Sequence, residues 1–166
     1  MLYVPPYAPD LFDVLAYSIE EAEQWGHDRV RPEHLLLGLV RRDGEDRLVG
    51  LERIGVEPVI VRRDLEHLIE PGRGLRIEEL YRPDREARRV MDHAWRVAGE
   101  MESGLVCSAH LVLGMLRDED CLAARCLGRY ADDYRRAWVT LYWHVREQYS
   151  RRRRLVRAIG RFIGAR

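Results

Sequence analysis

"VRPEHLLLGLVRRDG", Val30 to Gly44, and "VCSAHLVLGMLRDED", Val106 to Asp120, are one helix start written twice. Both run His-Leu-x-Leu-Gly-x-(Leu/Val)-Arg, with His34 and His110 standing 76 residues apart. Each strip is apolar on nearly every side after its histidine, which predicts a central, buried helix. Pro32 suits the first turn of the first copy, and Ser108 is expected to cap the second. Upstream, Leu11, Leu15, Tyr17, Ile19 and Ala22 recur near one-turn spacing, with Asp10 as the expected cap and "GHDRV" as the break. Downstream, Leu48, Leu51, Glu52 and Ile54 form a short helix closed by Gly55. Val59, Ile60, Leu65, Leu68 and Ile69 form a fourth, stopped by "EPGRG".

After "LRIEELYRP" the cycle restarts. Asp84 caps a helix through Ala87, Val90, Met91, Ala94, Val97 and Ala98, and "DCLAARCLG" repeats the short third helix with Gly128 as its stop. The sequence therefore predicts an all-α fold of two tandem pseudo-symmetric four-helix repeats plus a C-terminal helical extension. The double-repeat domain covers 1–129, with repeats at 8–70 and 82–129. An amphipathic helical extension follows at 130–150 and a basic amphipathic tail at 151–166. One repeat is near the lower size limit for a stable core, so the two are expected to clasp through their leucine-rich second helices.

Composition narrows the chemistry. A chain 46% hydrophobic and 34% charged reads as soluble and globular. No apolar run reaches the ~18 residues of a membrane span. The opening "MLYVPPYAPD" has neither a basic nor an apolar leader region, so the expected location is cytoplasmic, with a peripheral position at the inner membrane surface as the alternative. All 28 basic residues are arginine. Without lysine there is no Walker A loop and no Schiff base. Cys107, Cys121 and Cys126 fit no common zinc spacing with His110 and read as core thiols; no metal and no cofactor is expected. His34 and His110 have no nucleophile and carboxylate in triad order, so they read as structural histidines and the chain as a non-enzyme.

The first copy, "VLAYSIEEAEQWGHDRVRPEHLLLGLV…LERIGV", and the looser second, "ARRVMDHAWRVAGEMESGLVCSAHLVLGML…ARCLGR", resemble the amino-terminal double repeat of the Clp ATPases of the ClpA and ClpC type. The resemblance covers about Asp10 to Arg129. It implies a non-enzymatic docking module that receives substrates and adaptor proteins, here without the ATPase ring. Its expected partners are a Clp ATPase, the adaptors or the protein substrates, and its expected role is adaptor, decoy or regulator of Clp-dependent unfolding and degradation. In the ClpC type, the Glu before the histidine takes the guanidinium of phosphoarginine, and a nearby Thr holds the phosphate. Glu33 keeps that acid in the first repeat, and Ala109 stands there in the second. The threonine positions carry Ala8 and Asp84. The resemblance thus marks Glu33, Ala8, Asp84 and Ala109 as a peptide- or phosphoarginine-like site, weakened by the lost hydroxyl and by the added charge. Glu33 also has a simpler reading, as an acid complementing a helix dipole.

Charge divides the chain. Seven of the 28 arginines and none of the 28 acids fall after Ser150, leaving a body near −7 and a tail near +7. Tyr134, Trp138, Leu141, Tyr142, Val145 and Tyr149 form one helical stripe. In the tail, Leu155, Ile159, Phe162 and Ile163 oppose arginines, so Arg151, Arg152, Arg153, Arg154, Arg157, Arg161 and Phe162 are candidate contact residues. Three partners suit them: an anionic membrane surface, an acidic partner including this protein's own body, and nucleic acid, the weakest because no base-reading motif is present. A surface-tethered interaction protein acting through this tail is the alternative to the docking module.

Overall fold

Pro9 begins α1 (Pro9–Gln24), and Leu11, Val14, Ser18 and Ala22 supply its buried face. In α2 (Pro32–Asp46), Leu35, Leu36, Leu37 and Leu39 are all fully buried, so this helix is enclosed on every side. A 3-10 turn at Leu51–Ile54 and α3 (Pro58–Leu68) complete the first repeat. The second repeat brings α4 (Arg85–Glu100), α5 (Ser108–Arg117) and α6 (Leu122–Leu127), followed by α7 (Tyr134–Ile163). This computed structural model describes residues 6–46, 51–74, 82–130 and 133–163, with the backbone alone for 44–46 and 152–163. Leu48 of the expected third helix lies outside the described residues. Among them there is no strand, only two isolated bridges.

The 76-residue offset holds through the packing. Gly38 of α2 sits against Val14 and Ser18 of α1, and Gly114 of α5 sits against Val90 and Ala94 of α4. The turn before each second helix is conserved even where its residue is not. Gly26 has φ +70° and Glu102, its counterpart, has φ +51°. Glutamate holds a left-handed conformation there that costs an ordinary residue about 1 kcal/mol.

Three expectations need correction. Asp10 does not cap α1, whose N-cap is Ala8 with no side-chain bond. Ser108 is the first residue of α5, and Cys107 is its N-cap. The two leucine-rich helices are also not the principal clasp. Each packs mainly on the first helix of its own repeat, α2 on α1 and α5 on α4. The halves join instead where α2 meets α6 and α4, and where α3 meets α6. The close glycine contacts explain this, because they bring α1 onto α2 and α4 onto α5 backbone to backbone, occupying the face that would otherwise meet the other repeat.

The beginning of α7 takes the place of a fourth helix in the second repeat. As α3 packs on α2 and on α6, so α7 packs on α5 and on the 3-10 turn, the first repeat's counterpart of α6. Among its described side chains Ala137, Leu141 and Val145 are buried, and Trp138 donates its indole N–H to the Leu113 carbonyl at 3.2 Å. Between α1 and α3, buried Glu21 accepts both terminal N–H groups of Arg62 at 3.0 Å.

Candidate functional site

The repeats exchange their helix starts. Ala8 donates its N–H to the Val106 carbonyl at 2.8 Å, and Asp84 donates to Val30 at the same distance. The N-cap of each first helix therefore lies beside the start of the other repeat's second helix. Two related places result, one at Asp84 and Glu33, the other at Ala8 and Ala109.

At the first place Glu33 is 7% exposed, and burial raises its carboxyl above the usual range. Arg31, 3.9 Å away, works against that rise; Asp84 and Glu86 add to it. The Asp84 carboxylate is engaged as the α4 cap, accepting the Ala87 N–H at 2.7 Å. This place is thus rich in negative charge, with Arg31 beside it.

At the second place, absence of side-chain bulk leaves a groove of ≈ 370 Å³. Ala8 and Ala109 lie on its walls with Asp10, Cys107 and Ser108, while Val145, Gln148 and Tyr149 of α7 close one side. Asp10 accepts the Ser108 N–H at 3.0 Å and the Ser108 hydroxyl, so an acid from the first repeat holds the α5 N-terminus of the second. Such a cap contributes about 1 kcal/mol. Sequence reasoning missed this role of Asp10, and it missed Gln148 and Tyr149. The aromatic stripe of α7 was visible; which groove it would border was not.

The paired histidines are built differently. His34 Nδ1 accepts the Arg31 N–H at 3.0 Å, and its Nε2 lies 2.8 Å from His27 Nδ1. His27 Nε2 lies 2.9 Å from the Glu70 carbonyl, an acceptor only. One assignment satisfies all three bonds: both rings neutral, each donating from Nε2. Burial and the neighbouring His27 hold the His34 pKa down to about 3. In the second repeat Ser103 stands where His27 would, and His110 Nε2 has no hydrogen-bond partner among the described residues. His110 Nδ1 accepts the Cys107 N–H at 3.1 Å, and Tyr149 stacks on the ring at a centroid distance of 5.3 Å.

Cys107 Sγ is 3.2 Å from His110 Nδ1, the spacing of a nucleophilic pair. The electrostatics oppose that chemistry. Burial pushes the Cys107 thiol up and the His110 imidazole down to about 4, so both favour their neutral forms. Cys121 and Cys126 are buried and pushed up to about 11. Among the described residues no three His, Cys, Asp or Glu side chains gather as metal ligands. Arg151 is exposed and pairs with Glu147 at 2.6 Å. The side chains of Arg152, Arg153, Arg154, Arg157, Arg161 and Phe162 lie outside the described residues.

Comparison with known proteins follows the same outline. A family model described as the Clp repeat (R) N-terminal domain matches residues 6–130. The chaperone protein ClpB of Oceanobacillus iheyensis is 33% identical over 114 residues, 69% of this chain and 14% of that protein. The negative regulator of genetic competence ClpC/MecB of Bacillus subtilis is 32% identical over 114 residues, again 69% and 14%. The chain thus spans about a seventh of the length of these relatives. Among solved structures, the N-terminal domain of ClpD from Arabidopsis thaliana aligns with a TM-score of 0.66 at 19% identity, covering 87% of this chain and 97% of that one. The Hsp104 N-terminal domain of Candida albicans aligns with a TM-score of 0.61 at 17% identity, covering 82% and 89%.

Proposed function

Because the chain belongs to the Clp repeat N-terminal domain family, we propose that it is a non-enzymatic protein-binding module acting as adaptor, decoy or regulator in Clp-dependent unfolding and degradation. The groove carries this reading. It is open, largely apolar and built from both repeats, with Asp10 on its wall and α7 along its side. Arg42 lines the groove as well as Asp10, so a peptide segment with an apolar side chain flanked by polar groups matches such walls. The 166 residues contain no lysine and so no Walker A loop. The proposed location is the cytoplasm.

Crosslinking in native lysate, with mass spectrometry of the captured proteins, tests the reading. Enrichment of a Clp ATPase, its adaptors or its substrates is expected with the unaltered chain. Gln148→Trp, at an exposed position beside the groove, should lose most of it without changing stability. Failure to enrich any of the three classes would sink the proposal.

The Glu33 place suits an unmodified guanidinium better than phosphoarginine. Asp84 puts a carboxylate where the resemblance sets a phosphate-holding threonine, a like-charge contact costing on the order of 1 kcal/mol or more. Asp84→Thr keeps a capping oxygen and removes the charge. It should strengthen binding of a phosphoarginine peptide about fivefold or more, measured by calorimetry, while leaving the matching arginine peptide no tighter bound.

A second reading, tethering to a surface through the C-terminal part of α7, is favoured by one observation: the helix continues without interruption to Ile163.

A further inference from the structure

One flank of α7, away from the groove, carries a run of packed rings and guanidinium groups. Trp138 and Tyr142 stack with ring centroids 4.7 Å apart, and Tyr142 meets Trp143 edge to face at 5.8 Å. Arg117, the last residue of α5, lies over the Trp138 ring at 5.6 Å, and Arg146 lies over Trp143 at 5.1 Å. Leu116, Arg117, Tyr134, Arg135, Trp138 and Val139 line a recess of ≈ 310 Å³ beside this run, with Glu119 as its one acid. Val139 is 47% and Trp143 58% exposed, two large apolar side chains one turn apart. With about 100° per residue, Arg135, Val139, Trp143 and Arg146 share an arc of about 80°. Val145, Gln148 and Tyr149, which border the groove, lie on another. Arg117 is paired with Glu100, but Arg135 and Arg146 are exposed, and no described carboxylate pairs with either. Nearby Glu147 is held by Arg151, and Asp133 accepts the Arg135 backbone N–H.

We propose that this flank is a second docking face, for an acidic amphipathic helix of a partner protein. The apolar stripe of such a helix rests on Val139 and Trp143 and reaches the recess beside Trp138. Its carboxylates meet Arg135 and Arg146, which stand 11 residues or ~16 Å apart along α7, so acids about three turns apart bracket the stripe. A guanidinium laid on an aromatic ring is held in place and keeps its N–H edge for a carboxylate. Single-stranded nucleic acid would also meet arginines and rings, but it binds by stacking bases on open ring faces. Here Tyr142 and Arg117 engage Trp138, and Arg146 engages Trp143. The face goes beyond the groove of the reading above. With the two on different sides of one helix, the chain holds two partners at once, as an adaptor must.

Fluorescence anisotropy of a labelled synthetic helical peptide, with phenylalanine and leucine in one stripe and glutamates on both sides, titrated with the full chain, is the test. Saturable binding is expected, weakening at high salt as the Debye length falls from about 8 Å to about 3 Å. Trp143→Ala, at an exposed position, should weaken it about thirtyfold, the loss of an aromatic anchor. R135E/R146E should weaken it at least about tenfold. The same peptide with alanine in the stripe should bind at least about tenfold more weakly, and Gln148→Trp should leave binding of the parent peptide unchanged. Absence of binding overturns the proposal. So does binding that survives both Trp143→Ala and R135E/R146E, the pattern that the seven arginines after Ser150 would give. Loss in Gln148→Trp would put the peptide in the groove and overturns it too. Tighter binding of an oligothymidylate, or self-association of the chain that Trp143→Ala abolishes, would assign the face to nucleic acid or to a second copy and overturns it as well.

Discussion

Lowering the pH from 7 to 5 is expected to cost this fold about 4 kcal/mol, a large part of the 5–15 kcal/mol that stabilises a domain. The source is the two buried histidines. His34 and His110 are both fully buried, with pKa values held down to about 3 and about 4, against 6.5 for an exposed histidine. Between pH 6.5 and about 4 the unfolded chain takes up two protons that the folded chain refuses. Stability therefore falls as pH falls through the unfolded value, at ~1.4 kcal/mol per pH unit for each ring. The loss stops growing below about pH 3, where the folded chain also protonates. His27, lowered mainly by burial, acts in the same direction. Glu33, raised by burial, acts in the opposite one. Urea midpoints at pH 7, 6 and 5 measure the slope, and His110→Gln should roughly halve it whatever its effect at pH 7. Midpoints that stay constant from pH 7 to 5 would refute the neutral histidine chain.

The second large effect is expected at two glycines. A Cβ on Gly38 would lie 2.5 Å from the Val14 carbonyl oxygen and 2.6 Å from Ser18 Oγ. On Gly114 it would lie 2.5 Å from the Val90 carbonyl oxygen and 2.7 Å from the Ala94 nitrogen. These neighbours are mostly backbone, so the helices must separate. Overpacking of that kind costs about 1–3 kcal/mol or more, and alanine's better helix propensity returns about 1. Gly38→Ala and Gly114→Ala should each lower stability by about 2 kcal/mol in urea unfolding, and the double variant should sum the two. Gly99, in α4, has nothing within 4 Å of its Cβ position. Gly99→Ala should instead be neutral or stabilising by up to about 1 kcal/mol. Equal responses at all three positions would show that the close helix contacts are not what the glycines serve.

Both predictions draw on features written in the duplicated strip, and they mark how far the strip can be read. The period of apolar residues located the helices because a helix is specified by neighbours three and four positions apart, which one sequence displays. The duplication located its own equivalences, and so Gly38 matched Gly114 and His34 matched His110. Asp84 was legible as a cap for the same local reason. Asp10 was not, because its partner Ser108 is 98 residues away and capping preference says only that an acid near a helix start will find an N–H. Sequence placed it on the nearest helix, and tertiary structure gave it to the other repeat.

By itself, then, the sequence determined that this is a doubled all-helical domain, that its second helices are buried, and that it holds no lysine for nucleotide or imine chemistry. Only the tertiary structure decided that Glu33 faces Asp84 while Ala8 and Ala109 share a groove, that Tyr149 covers His110, and that the halves meet mainly where α2 and α3 pack on α6 rather than by one leucine strip packing on the other. The division has one physical cause. Helix positions follow from short-range periodicity, whereas the crosswise pairing of the repeats depends on backbone bonds such as Ala8 to Val106 and Asp84 to Val30, between segments that local pattern cannot connect.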